Sequence, residues 1–449
     1  MESRWQDADA NSQVAQRPGD CNEDLALRVY TSRLIGRDAE LVLHGGGNTS
    51  VKTRVLDLLG EEREVICVKG SGWDLASIEA PGLPALDLPG LRRLRELEEL
   101  SDGEMLNQLR THLLDASAPT PSVETLLHAF LPDKFVDHTH ADAALVFGNR
   151  PEGAGELEEL FGGRVGVLPW IMPGFPLAKR VARYREENPD SIGLVLHMHG
   201  VFSWGEHARE SYERMIEIVD RIERAIRERL EGRKVFPDAG SRPPEDELRA
   251  AAVDSALALR RFTSVSSGDE LDPLRPMILE WRPSDETLAA AEAPATLFRM
   301  GPLTPDHAIR TKGWYVVTER EEEAMALGVA GFTSDYVDYF TRFSRGRDPV
   351  PQMLDPFPRV VLVKGAGLFA FGRTKRDARI SADIAEHTIR GKLRSAALSD
   401  YVALTDAELF EMEYWSLEQA KLGKAKEPPL GRKIALVSGA AGAIGFATA

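Results

Sequence analysis

The hydrophobic positions in the first half of the chain predict alternating helices and short strands. Apolar residues recur at helical spacing from Glu23 to Ile35, which predicts the first helix. A long helix is predicted after residue 207, because one face of that segment collects apolar side chains. These are Tyr212, Met215, Ile216, Val219, Ile222 and Ile226. Short apolar runs at 41–44, 64–68, 135–136 and 192–196 predict strands, so the expected fold class is α/β.

Two glycine-rich turns follow predicted strands. The first contains Gly45, Gly46 and Gly47, and the second is the run Lys69, Gly70, Ser71, Gly72. Such turns expose backbone N–H groups and let the chain approach an anion closely. A lysine and a hydroxyl in the second turn also suit a phosphate. An ordinary hairpin and a βα turn with an exposed lysine are the alternative interpretations, and His44 is expected to be structural.

Histidines form the strongest chemical signal. His138 and His140 follow an apolar run one residue apart, and alternation along a strand places both on the same face. A second apolar run ends in His197, Met198 and His199, and Glu124 lies upstream at the start of a predicted helix. Imidazoles with a nearby carboxylate suit metal-assisted acid–base chemistry. The alternatives are buried, hydrogen-bonded histidines and a glutamate that complements a helix dipole.

Composition restricts the class of protein. The 449 residues suffice for two or three domains, and 43% hydrophobic with 28% charged residues is typical of a soluble globular protein. The formal net charge of −16 argues against non-specific nucleic-acid binding. Two cysteines make a disulfide framework improbable, and no apolar run reaches membrane-spanning length. We therefore expect a cytoplasmic protein without a nucleic-acid or membrane partner.

The motifs GGGNTSVK, VKGSG, SVE, HTHADA and HGVFSWG, in this order, resemble those of the class II aldolase/adducin family. Within that family they are most similar to bacterial fusions of a rhamnulose-1-phosphate aldolase with a short-chain dehydrogenase. The resemblance runs from about Val42 to about Leu230. It implies a mainly antiparallel sheet flanked by helices, and a zinc-dependent aldolase that forms no Schiff base.

The resemblance also implies a role for individual residues. One Zn²⁺ per chain would be held by His138, His140 and His199, and Glu124 would transfer the proton. The substrate phosphate would be bound by Asn48, Ser71, Gly72 and Ser122. The family often has a second hydroxyl where this chain has Val123. His197 is expected to orient a ligand or to pack in the core, and His128 to be structural. Lys69 is added here as a phosphate neighbour on its chemistry alone.

Later segments predict further organisation. The run VVLVKGAGLFAFG repeats the pattern of LVLHMHGVFSWG, with Gly367 opposite Gly200 and Ala366 opposite His199. This predicts a degenerate second aldolase-like half without a metal, a generic strand–turn–helix being the alternative. In VSGAAGAIG, Ser438, Gly439 and Gly445 resemble the short-chain dehydrogenase fingerprint. The chain ends soon afterwards, so we expect a truncated Rossmann-like start, no NAD and no dehydrogenase activity.

The predicted boundaries follow from these patterns and from two Pro- and Gly-rich linkers. The segments are a flexible N-terminus (1–22), an aldolase domain with the metal site (23–232), a linker (233–250), the degenerate half (251–421) and a second linker with the truncated dehydrogenase start (422–449). The expected activity is cleavage of L-rhamnulose 1-phosphate, a phosphorylated sugar, to dihydroxyacetone phosphate and L-lactaldehyde. A homo-oligomer is also expected.

Several other functions remain open at this point. The resembled fold and metal ligands also serve fuculose-phosphate aldolases, pentulose-phosphate epimerases and methylthioribulose-phosphate dehydratases. An adducin-like binding module would keep the fold and lose the ligands, which this chain retains at His138, His140 and His199. A non-catalytic scaffold is the remaining alternative.

Overall fold

The structure is a computed structural model that describes residues 1–19, 21–266, 274–419 and 431–448. Residues 422–430 of the second predicted linker lie outside this range. The described strands are β1 (Asn48–Leu56), β2 (Glu62–Val68), β3 (Ala85–Asp87), β4 (Phe135–Thr139), β5 (Val165–Leu168), β6 (Gly193–Leu196), β7 (Gly200–Gly205), β8 (Val265–Ser266), β9 (Leu274–Arg275), β10 (Ile278–Arg282), β11 (Val316–Thr318), β12 (Val360–Val363) and β13 (Gly367–Gly372).

The described residues also form helices. They are α1 (Asp7–Ala15), α2 (Glu23–Gly36), α3 (Leu88–Arg93), α4 (Asp102–Thr111), α5 (Thr125–Phe130), α6 (Asp142–Gly148), α7 (Gly153–Phe161), α8 (Phe175–Glu187), α9 (Ala208–Leu230), α10 (Glu245–Phe262), α11 (Asp285–Ala291), α12 (Ala295–Phe298), α13 (Ala308–Thr311), α14 (Glu322–Ser344), α15 (Lys375–Leu398), α16 (Asp406–Glu413), α17 (Ser416–Gln419) and α18 (Ala443–Thr448). Within the described ranges, none of them combines the length and the apolar character needed to cross a membrane.

The chain divides into two compact units that are not continuous in sequence. The first unit combines residues 1–237, 296–314 and 386–423, and the second combines 238–295, 315–385 and 424–449. Two segments from beyond residue 290 therefore belong to the same unit as the predicted aldolase domain. Both segments contribute to the candidate site described below.

The first unit is built on a seven-stranded sheet in the order β3-β2-β1-β4-β7-β6-β5. All neighbouring strands are antiparallel except the parallel pair β5 and β6. Helices α2 and α9 bury apolar residues on one face of this sheet, and α5 and α8 do so on the other. The structure therefore confirms the predicted mainly antiparallel sheet flanked by helices.

Strand β4 is the central strand, and its Asp137 is fixed on one face of the sheet. Its Asp137 is fully buried and pairs with the equally buried Arg28 of α2, with 2.5 Å between Oδ1 and Nη2. Ser211 of α9 donates its hydroxyl hydrogen to the other oxygen of Asp137. Since side chains alternate along a strand, this anchoring of Asp137 leaves His138 to face the opposite side.

Helices α2 and α9 lie where the apolar spacing predicts them, whereas two other segments differ from the sequence prediction. Residues 41–47 form a turn and not a strand, because His44 adopts a left-handed backbone (φ 40°) that ends an extended chain. The polar N-terminal segment includes α1, and the amino group of Met1 pairs with Asp220 at 2.8 Å.

The second unit contains a smaller sheet in the order β10-β13-β12-β11. Its β12–β13 hairpin has the same length and register as the β6–β7 hairpin of the first unit. Val363 pairs with Gly367 in the former, and Leu196 pairs with Gly200 in the latter. The repeated sequence pattern therefore corresponds to a repeated local structure.

Candidate active site

Three histidines converge at one end of the central sheet. His138 lies in β4, His140 lies just beyond it, and His199 lies in the turn between β6 and β7. One ring nitrogen of each lies within 4.8 Å of the others, and all three residues are buried. The structure thus brings together the three predicted ligands in a group that could hold a metal ion.

The antiparallel pairing of β4 with β7 explains this convergence. Thr139 at the end of β4 pairs with Val201 at the start of β7, so the residues flanking this pair lie side by side. Residue 200 has to be glycine, because a Cβ there would lie 2.2 Å from the carbonyl oxygen of Thr139. The glycine that follows His199 therefore allows the two histidine-bearing segments to approach.

Hydrogen bonds fix the orientation of His138. Its Nδ1–H donates to the carbonyl oxygen of Val201 at 3.1 Å, and its ring stacks on Phe202 with 4.0 Å between centroids. Because a neutral imidazole carries one proton, this bond leaves Nε2 as the nitrogen with the lone pair. That nitrogen faces the group formed with His140 and His199.

Glu124 lies beside the three rings. Its Oε2 is 3.4 Å from Nε2 of His138, and its Oε1 is 3.6 Å from Nε2 of His199. Asn48 donates from Nδ2 to Oε2 at 2.6 Å, which holds the carboxylate in place. Glu124 Oε1 is buried and accepts no hydrogen bond from the described residues. An unsatisfied buried carboxylate oxygen among imidazoles suits a site that receives a cation.

Burial keeps the ring of His140 in its metal-binding form. Burial lowers the pKa of His140 well below its usual value, against the opposing charge of the Asp306 carboxylate. A neutral imidazole is the form that ligates a metal. The three nitrogens and the adjacent carboxylate therefore fit a divalent ion such as Zn²⁺, which takes nitrogen and oxygen ligands.

The predicted phosphate-binding residues line the same cavity. Asn48, Ser71, Gly72 and Ser122 share it with Glu124, His140 and His199. The side chain of Asn48 is turned toward Glu124 and also donates to Ser122 Oγ at 3.2 Å. The structure thus places these residues next to the histidines, and their binding of phosphate stays a prediction.

Lys69 lines the cavity but is engaged by the first glycine-rich turn. Its ammonium group donates to the carbonyl oxygens of Gly45 at 2.6 Å and Gly47 at 3.0 Å. Two of its three N–H groups therefore stabilise the turn. In this arrangement Lys69 holds the turn that forms one wall of the cavity.

His197 and His128 lie outside the ligand group. His197 follows β6 in a turn where Met198 has a φ of 58°, so it does not share a strand face with His199. Its Nε2–H donates to the carbonyl oxygen of Gly148 at 2.8 Å. His128 is buried against Ser50, with 2.8 Å between its Nδ1 and the hydroxyl oxygen. Both serve the fold, and His197 has no place beside the three rings.

Comparison with known families accounts for this arrangement. Residues 26–226 match the family model described as "Class II Aldolase and Adducin N-terminal domain". Residues 250–422 match the one described as "Aldolase class II, second domain". The chain contains class II aldolase/adducin domains. The predicted fold class, including its aldolase type, is confirmed.

Individual relatives are similar over different parts of the chain. An "Uncharacterized oxidoreductase YuxG" from Bacillus subtilis (strain 168) is 35% identical over 433 residues, which are 93% of this chain and 61% of that protein. The chain therefore spans less than two thirds of the length of this relative. The N-terminal class II aldolase domain of a conserved Thermoplasma acidophilum protein is 39% identical, with 51% of this chain and 100% of that chain covered and a TM-score of 0.45. An L-fuculose-1-phosphate aldolase from Thermus thermophilus is 21% identical, with 46% and 98% covered and a TM-score of 0.30.

The second class II aldolase domain also supplies residues to the cavity, which the sequence did not predict. These residues are Pro305, Asp306, Met412, Trp415 and Glu418. Asp306 Oδ2 lies 3.8 Å from Nδ1 of His140, and Trp415 is fixed by a 2.6 Å hydrogen bond from its indole nitrogen to Asp102. An acidic residue in the proline-flanked run LTPDH is the one available sequence signal, and it is weak.

A second group of possible metal ligands lies in the same unit. Glu40, Asp142 and His387 place ligand atoms within 4.8 Å of one another. His387 Nδ1–H donates to Asp142 at 2.5 Å, and Arg390 pairs with Glu40 at 3.0 Å. Although burial lowers the pKa of His387, the hydrogen bond and the charge of Asp142 raise it overall. Protein cations thus already balance both carboxylates, so this group is a buried ion-pair network.

Proposed function

We propose that the chain catalyses the metal-dependent, reversible aldol cleavage of a ketose 1-phosphate, with L-rhamnulose 1-phosphate as the substrate. The products would be dihydroxyacetone phosphate and L-lactaldehyde. The observation that carries this proposal is the buried group of His138, His140 and His199 with Glu124 beside it. The class II aldolase domain match supports the same reaction type.

The metal would be held by the three histidines. When bound, Zn²⁺ would supply Lewis-acid polarisation of the substrate ketone and its neighbouring hydroxyl. All three ligands are buried, and a charge interaction is stronger there than in water.

Proton transfer would be the task of Glu124. In the cleavage direction the C3–C4 bond breaks, the C4 hydroxyl loses its proton to form the aldehyde, and the electron pair moves toward the C2 ketone. C3 then receives a proton to complete dihydroxyacetone phosphate. Glu124 is fixed by Asn48 at 2.6 Å, so it can hold that proton at a constant position beside the metal ligands.

The other cavity walls suit the two ends of this substrate. The hydroxyl of Ser71, the backbone N–H of Gly72 and the side chain of Ser122 would bind the phosphate. Met412 and Trp415 add apolar surface to the cavity, which suits the methyl group of a 6-deoxy sugar. A ketose carrying a hydroxyl at C6 would leave that hydroxyl facing apolar surface.

The competing functions share the metal ligands and differ in substrate. Fuculose-phosphate aldolase, pentulose-phosphate epimerase and methylthioribulose-phosphate dehydratase activities all fit the three histidines. The adducin-like binding module is disfavoured because the ligands His138, His140 and His199 converge. The oxidoreductase name belongs to the longer Bacillus subtilis relative.

The test is release of dihydroxyacetone phosphate from L-rhamnulose 1-phosphate, measured with and without a metal chelator. We expect release that the chelator abolishes, that zinc restores and that His199→Ala loses. His197→Ala is the matched control, because His197 bonds Gly148 and lies outside the ligand group. This control should keep activity within about tenfold of the wild type, as expected for a residue remote from the chemistry.

The remaining outcomes separate the alternatives. Zinc binding without cleavage of L-rhamnulose 1-phosphate, but with cleavage of L-fuculose 1-phosphate, would keep the aldolase assignment and overturn the substrate. A zinc-free, inactive protein would contradict the proposal and favour the binding module.

A further inference from the structure

Asp306 occupies a distinctive position in the candidate site. It comes from a short turn in the second class II aldolase domain, far in sequence from the three histidines, yet it lines their cavity. Its Oδ2 lies 3.8 Å from Nδ1 of His140. Glu124 faces His138 and His199, so the two carboxylates approach different rings of the ligand group.

A ligating imidazole needs a partner for its second nitrogen. That partner fixes the tautomer and the ring orientation, and it is usually a carboxylate or a backbone carbonyl. His138 has such a partner in the carbonyl oxygen of Val201. For His140, the carboxylate of Asp306 lies on the Nδ1 side of the ring.

We propose that Asp306 is a positioning residue, which accepts a hydrogen bond from Nδ1–H of His140 and thereby directs Nε2 of His140 into the metal-ligand group. This inference rests on the proposed metal site. The 3.8 Å separation is longer than a hydrogen bond, so the inference requires the Asp306 carboxylate to move closer to His140 when the metal binds. Such contacts commonly tighten when a site is loaded.

The backbone that carries Asp306 is fixed on the site. The hydroxyl of Thr304 donates to the carbonyl oxygen of His199 at 3.2 Å, so the same turn contacts a second ligand residue. Asn149 donates to the carbonyl oxygen of Leu303 at 2.7 Å and anchors the turn from the other side. The carboxylate is therefore carried by a segment that hydrogen bonds hold against the site, as positioning requires.

Gly46 borders both groups. A Cβ at this position would lie 3.3 Å from Nδ1 of His140 and 3.6 Å from Oδ2 of Asp306. The first glycine-rich turn therefore lies against the same pair. A carboxylate at Asp306 together with Glu124 would also balance the double positive charge of a divalent ion on neutral imidazoles.

The test is a double-mutant cycle on zinc affinity, measured by competition with a chromogenic chelator, which does not depend on catalysis. Asp306→Ala should weaken zinc binding about 10- to 100-fold in the otherwise wild-type protein. In a His140→Ala background the same change should weaken it less than about twofold, because the partner is already gone. Asp306→Asn keeps the volume and an acceptor oxygen, so its effect should be intermediate, and it replaces the alanine variant if that one fails to fold.

The outcomes distinguish this inference from the proposed function. If the wild type binds no zinc, the proposed metal site is wrong, and the inference about Asp306 falls with it. If the wild type binds zinc and Asp306→Ala binds it equally well, Asp306 is not a positioning residue and the proposed function stands. An equal loss in both backgrounds would show that Asp306 acts on the ion directly and would also overturn the inference. Cobalt(II) absorption spectra give a second readout, and we expect a changed ligand-field band in Asp306→Ala.

Discussion

At the scale of single residues, Glu124 has the clearest assigned chemistry. Replacement by glutamine keeps its size and removes the carboxylate that accepts and returns the proton, so Glu124→Gln should lower kcat about 100- to 10,000-fold. Exchange of a C3 hydrogen of dihydroxyacetone phosphate with solvent, followed by NMR, should fall in parallel, because this step needs no aldehyde. Zinc stoichiometry should stay at the wild-type value. Retained exchange in the variant would assign the proton transfer to another group.

His307 makes the first unit sensitive to acid. Burial lowers its pKa from 6.5 to about 4 in the folded protein, although Asp306 and Asp142 oppose the shift. Between these pH values the unfolded chain binds more protons than the folded protein. The contribution of neutral His307 to folding stability is therefore complete above pH 6.5 and is lost as the pH falls toward 4. The contribution is at most about 3 kcal/mol.

The measurement is urea unfolding at several pH values for the wild type and His307→Gln. The free energy of unfolding should fall more steeply between pH 6.5 and pH 4 in the wild type than in the variant. Parallel pH dependence in the two proteins would show that His307 does not titrate differently on folding.

At the scale of elements, the buried ion pair between Arg28 and Asp137 stabilises the packing of helix α2 on strand β4. Arg28 and Asp137 are both fully buried, and burial lowers the pKa of Arg28 against the attraction of Asp137. Asp137→Asn leaves the guanidinium buried without its counter-charge and should cost about 3–5 kcal/mol of unfolding free energy. The double variant Arg28→Met/Asp137→Leu should lose less unfolding free energy than either single variant. Denaturant unfolding measures these losses, and a double variant that loses the sum of the two single losses would contradict this expectation.

Some of these elements could be predicted from local pattern alone. Alternation along the chain at β4 places His138 and His140 on one side, and the apolar spacing of α9 is unambiguous. The turn at His199 could not be predicted in the same way. It requires a left-handed backbone at Met198 (φ 58°), and methionine carries no signal for that conformation. His197 therefore looks equivalent to His199 in sequence and is separated from it only in the structure.

At the scale of the whole molecule, the sequence prediction and the structure divide the chain differently. The Pro- and Gly-rich linker after residue 232 predicts that the aldolase domain is continuous in sequence. The structure instead includes residues 296–314 and 386–423 in the first unit. Contacts between segments more than 100 residues apart leave no periodic pattern, so Asp306 and Trp415 could not be placed at the site from sequence alone.

The contribution of the later segments to the first unit gives the last prediction. Leu145 forms a buried cluster with Leu303 and Tyr401. The fully buried Asn149 donates to Leu303, and its carbonyl oxygen accepts from the backbone N–H of Val402 at 3.0 Å. A fragment of residues 1–237 lacks all of these partners and exposes the apolar face that they cover. We therefore expect it to unfold at lower denaturant than the full chain.

The same fragment lacks Asp306, so its zinc affinity should be at least about tenfold weaker than that of the full chain. Chelator competition measures this affinity, and hydrogen exchange of the β4 amides reports whether the central strand is still protected. The full chain carrying Asp306→Ala is the matched control, because it separates loss of one carboxylate from loss of the whole supporting layer. If the fragment binds zinc as tightly as the full chain and protects β4 equally, residues 23–232 form an independent domain. The later segments would then only cover the site, and the metal centre would be complete without them.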